Sequence, residues 1–77
     1  MIPTGKRSYE RTWDEIEEML DEAVNERRMW QMRFEKAKKM HSRQGQIDAM
    51  RNAKALEGVV KTLKWVLGEQ GIDHPLE

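Results

Sequence analysis

A chain of 77 residues holds one domain at most, and a core that small ordinarily needs a disulfide, a metal or a partner subunit. There is no Cys, which excludes disulfides and thiolate metal sites and leaves close packing or self-association. The 14 Lys and Arg balance 14 Asp and Glu, so a formal net charge of zero gives the chain no general attraction to polyanions.

Pro occurs only at Pro3 and Pro75, and Glu, Lys, Arg, Ala, Met and Leu dominate between them. That composition predicts an all-α fold. Residues 1–8 read as a flexible arm. Gly5-Lys6-Arg7-Ser8 lacks the upstream glycine and the strand of a phosphate loop, so a basic arm is the plainer reading. Helix 1 is expected over about 9–42. Thr12-Trp13-Asp14-Glu15 has the form of a capping box, in which the Thr hydroxyl accepts from the Glu15 amide and the Glu15 carboxylate reaches back. The series Trp13, Ile16, Leu20, Ala23, Trp30, Phe34, Ala37 then steps by three and four, as a helix packed along its length requires. Arg27 interrupts the series.

A turn is expected over 42–45, with Gly45 as a left-handed helix cap. Continuing the first register would put Gln44, Asp48, Arg51 and Gly58 on the apolar stripe. A new register, Ala49, Ala53, Leu56, Val60, Leu63, Leu67, fits better and predicts helix 2 over about 46–69, followed by a tail over 71–77. Two long helices and a short turn make an antiparallel helical hairpin.

The apolar residues exceed what one seam can bury. Val59 and Val66 widen the stripe of helix 2, while Trp65, Met29 and Met32 lie away from either stripe and Met19 and Met40 flank that of helix 1. A helix apolar on several sides is buried on several sides, so a homodimer forming a four-helix bundle is expected. Its self-association core would be Trp13, Ile16, Leu20, Trp30, Phe34, Leu56, Val60, Leu63 and Leu67. Charge is segregated: Asp14, Glu15, Glu17, Glu18, Asp21, Glu22 and Glu26 precede Arg27, Arg28, Arg33, Lys36, Lys38, Lys39 and Arg43, with only Glu35 against them. The helix dipole favours acids at the start and bases at the end, but its reach is about one turn. An antiparallel pairing of two copies sets each acidic half against a basic one, which selects orientation more than it adds affinity.

Met29, Met32, Gly58 and Trp65 are candidate partner-docking residues: flexible Met side chains and a Trp form an adaptable contact, and Gly58 admits a close helix. The bland alternative is a partly exposed Trp65 over Lys61 and a tolerated glycine. Lys36, Lys38, Lys39 and Arg43 at the hairpin tip could touch phosphates, which makes nucleic-acid binding the alternative function, although no helix-turn-helix, zinc-finger or RNP motif accompanies them. His41 and His74 belong to no Glu-x-x-His pair, and Ser8 and Ser42 have no evident base and orienting acid. No catalysis, no cofactor and no metal are expected. No apolar run approaches the roughly 20 residues that span a bilayer, and no signal-peptide pattern is present, so a cytoplasmic location without membrane attachment is expected.

The stretch AKALEGVVKTLKWVLGEQGIDHPL, residues 53–76, resembles the C-terminal part of small helical proteins encoded by actinobacterial phages. The resemblance covers about a third of the chain and carries no catalytic or ligand motif. It implies a phage gene product that docks on a host or virion protein.

Overall fold

A computed structural model describes residues 10–76. The fold is all-α: α1, Trp13–Lys39, and α2, Arg43–Val66, pack against each other as a hairpin, and the described residues contain no strand. The basic arm expected over 1–8 lies outside the described residues.

The start of α1 is set by Thr12, whose extended backbone (φ −78°, ψ 158°) cannot continue a helix upstream. Its Oγ1 accepts from the Glu15 amide at 3.1 Å, and the Glu15 carboxylate accepts from the Thr12 amide at 3.5 Å. Arg11 adds an ion pair to Glu15 at 3.0 Å. The helix thus begins four residues later than position 9.

The turn differs from the expected one. α1 ends at Lys39, and His41 takes the left-handed conformation (φ 57°) assigned above to Gly45. The amide of Ser42 donates to Ala37 O at 2.8 Å and that of His41 to Lys38 O at 3.2 Å, the paired bonds of a Schellman ending. Ser42 then caps α2, its Oγ accepting from the Gly45 amide at 3.1 Å. So the turn is 40–42, and Gly45 lies inside the first turn of α2. It is a site of close approach: a Cβ there would stand 2.9 Å from Ser42 Oγ and 3.0 Å from Ala37 Cβ. α2 ends in the same motif, with Gly68 (φ 72°) in the left-handed place, Glu69 N donating to Lys64 O and Gly68 N to Trp65 O, each at 3.0 Å. This stops α2 at Val66, short of the expected 69.

The seam is built on small residues. Ala23, Ala49 and Val60 are buried, and Ala37 faces Gly45 near the turn. Ile16, Leu20, Trp30, Phe34, Leu56, Leu63 and Leu67 are half-buried along it, as is Arg27 where the apolar series breaks. Trp13 is 64% exposed at the first turn of α1. No large side chain among the described residues is fully buried. After Gly71 (φ 80°) the tail returns toward α2. The His74 ring meets the Trp65 ring edge-on at 5.4 Å, and Pro75 and Leu76 line a depression with Ala55, Gly58, Val59 and Thr62.

A candidate protein-docking surface

In a helix each residue turns about 100° from the last, so every flank of the hairpin can be followed from the residues that meet across it. One flank carries Met19 beside Leu63, with Arg11, Glu15 and Ile16 around them. Further along, Val59 stands beside Leu63 and Thr62. Toward the turn it opens into a groove lined by Trp30, Arg33, Lys36, Ala37, Met40 and Gly45, with Ala49 at its base. The groove exists because Ala37, Gly45 and Ala49 leave no side-chain bulk between the helices. Arg33 closes one wall, its guanidinium 4.5 Å above the Trp30 ring, a cation–π contact that fixes both side chains. Met40 at the end is 68% exposed. Met19, Val59 and Val66 are exposed along the same flank.

The opposite flank exposes fewer large apolar side chains. Phe34 and Met50 face each other across Ala53, with Gln31 and Glu35 beside them. Trp13 extends this side at the open end of the hairpin.

The four residues expected to form one docking surface do not share a surface. Met29 and Met32, 49% and 65% exposed, line a shallow depression with Arg33 and Lys36 on the outer face of α1. Gly58 and Trp65 belong to α2. An added Cβ at Gly58 would meet nothing within 4 Å, so no close contact among the described residues requires glycine there. Thr62 Oγ1 donates to the Gly58 carbonyl at 2.9 Å. Trp65 is 47% exposed, with the tail's His74 against it. Sequence reasoning placed Met19 and Met40 beside the stripe but missed the groove between Trp30 and Met40. Its signal is the small pair Ala37 and Gly45, one on each side of the turn.

Apart from Glu15, the segregated charges of α1 make no ion pair with another described residue. Ion pairs among the described residues are Arg11–Glu15, Lys54–Glu57 at 3.8 Å and Lys64–Glu69 at 3.9 Å. None of them involves Asp14, Glu17, Glu18, Asp21, Glu22 or Glu26, nor any base from Arg27 to Arg43. α1 therefore presents an acidic half and a basic half, of which only Glu15 is ion-paired to another described residue. The tip bases Lys36, Lys38, Lys39 and Arg43 are all exposed, but Lys38 turns toward the Phe34 flank while Lys36 lines the Met29 and Trp30 side. They surround the tip and do not form a single stripe.

The acidity of Glu15 is raised by its neighbours. Its hydrogen bond to Arg11, and then that to the Thr12 backbone, hold it below the ordinary glutamate range. Among the described residues no three His, Asp or Glu side chains gather as a metal site would require, and no helix is long and apolar enough to cross a membrane. No protein family, curated protein or solved structure matches the chain.

Proposed function

We propose that this protein is a non-enzymatic helical interaction module that associates with itself and docks on another protein. One observation carries the reading: among the described residues no large side chain is fully buried, while Trp13, Met19, Met29, Met32, Met40, Met50, Val59, Trp65 and Val66 are exposed. An apolar surface this extensive on so small a chain is the mark of a contact surface. The grooves are open and shallow, a shape suited to a helix and not to enclosing a reactant. Homodimerisation into a four-helix bundle covers a flank and converts half-buried seam residues into a core. Met29 and Met32 on the outer face of α1 remain for a different partner, and Trp65 on α2 offers a separate contact. A host or virion protein as that partner, in a cytoplasmic setting, is what the likeness of residues 53–76 to phage proteins implies.

A second reading has its own support. Lys36, Lys38, Lys39 and Arg43 make no ion pair with any described residue, which leaves them free for phosphates. Sedimentation and oligonucleotide titration separate the two. Self-association at tens of micromolar, unchanged by DNA or RNA, supports the interaction module. A monomer that binds oligonucleotides, with affinity falling steeply between about 50 and 200 mM salt, replaces it with the nucleic-acid reading.

A further inference from the structure

Resting on the self-association just proposed, we infer that the flank bearing Met19, Val59 and Val66 is covered by the same flank of a second copy, antiparallel, about a two-fold axis level with Glu26 and Arg27. Three independent features converge on this arrangement. The first is charge. The acidic half of α1 ends at Glu26 and the basic half begins at Arg27, at the middle of Trp13–Lys39. A two-fold axis at that level overlaps the helices fully and brings Glu18 and Glu22 of each copy toward Lys36 and Arg33 of the other. Those four charges make no ion pair with any described residue of their own chain.

The second is shape. Ala37 packs against Gly45 and Met19 lies beside Leu63, which fixes the levels of the two helices relative to each other. The same axis then carries the projecting end of the flank, Met19, Leu63 and Val66, onto the hollow end of the other copy, the groove between Trp30 and Met40 over Ala37 and Gly45. Val59 comes level with the Trp30 ring. Knobs meet a hole at both ends because the two-fold repeats the contact. The third is extent. A flank about 40 Å long and two helices, about 20 Å, wide offers on the order of 800 Å² per copy, which is one side of a standard interface. The opposite flank, around Phe34 and Met50, exposes fewer large apolar side chains.

The absence of Cys makes the arrangement directly readable by disulfide trapping. Glu26→Cys, Met19→Cys and Met40→Cys place a single thiol at exposed positions of the full chain, with helicity checked for each. At the axis, Glu26→Cys cross-links to itself under mild oxidation. Met19→Cys alone does not, because its two copies stand about 22 Å apart, and Met40→Cys is further still from its own copy. A mixture of Met19→Cys with Lys36→Cys cross-links between the two. Efficient self-cross-linking of all three single variants would mean a parallel pair and overturn the inference, as would failure of Glu26→Cys. Sedimentation of the unmodified chain distinguishes the levels of failure. A dimer with the wrong cross-links sinks this arrangement alone. A monomer at hundreds of micromolar, or a flank covered only when another protein or an oligonucleotide is added, sinks self-association with it.

Discussion

Two glycines in one helix carry opposite expectations. Gly45→Ala puts a methyl 3.0 Å from Ala37 Cβ and 2.9 Å from the capping hydroxyl of Ser42. Ala37 is fixed to a helix backbone and cannot swing away, so the helices must part at the turn. Overpacking of that kind costs about 1–3 kcal/mol, against the roughly 1 kcal/mol that Ala gains over Gly in a helix. The net expectation in chemical denaturation is a loss. Gly58→Ala meets no described residue of its own chain and should gain about 1 kcal/mol. A loss at Gly58 would instead mark it as a place where a partner helix lies close. His41 supplies a third case: its left-handed backbone (φ 57°) suits glycine, so His41→Gly should raise stability by roughly 1 kcal/mol. These residues also show what was legible. The Thr12 box could be read because its signal is contained in four consecutive residues. Gly45 was misassigned because a glycine beside a turn answers two needs, positive φ and close approach, and only the position of Ala37 tells them apart.

At the scale of the element, the N-terminus of α1 has a pH dependence of known sign. Glu15 has its acidity raised by Arg11 and the Thr12 backbone, so its folded pKa lies below its unfolded one. The stabilisation is therefore present above the ordinary glutamate pKa and fades as pH falls through the lowered folded value. Helicity followed by circular dichroism from about pH 5 down to about pH 2 should report fraying of the first turn. Glu15→Gln should remove that part of the titration and leave the rest of the profile in place, and a profile identical to that of the unmodified chain would show that the box contributes nothing. The apolar stripes of both helices were readable because a seam imposes a period of three and four on each sequence separately. The docking patch was not. Whether Met29 and Trp65 share a face depends on how one helix is rotated against the other, and no period within either helix encodes that rotation.

For the whole molecule, the exposed apolar surface and the absence of fully buried large side chains among the described residues tie stability to concentration. If folding is coupled to pairing, the midpoint of thermal unfolding rises with chain concentration, by a few degrees per tenfold, since each tenfold is about 1.4 kcal/mol of association. Trp30 is the residue on which this should turn. It is half-buried in the seam, holds Arg33 by a cation–π contact and walls the groove near Ala37. Trp30→Ala removes the ring from both the hairpin and the pair, and large-to-small changes at well-packed aromatic sites cost about 3–5 kcal/mol. In a lone hairpin, where the ring is only half-buried, the loss should be well under that range and independent of concentration. In a dimer the loss should approach it and the dissociation constant should rise more than a hundredfold. Phe34→Ala is the internal control, because Phe34 lines the seam and the opposite flank: it should lower the melting midpoint while shifting the dissociation constant less than Trp30→Ala does. Equal effects of the two on dissociation would move the interface to the Phe34 and Met50 side.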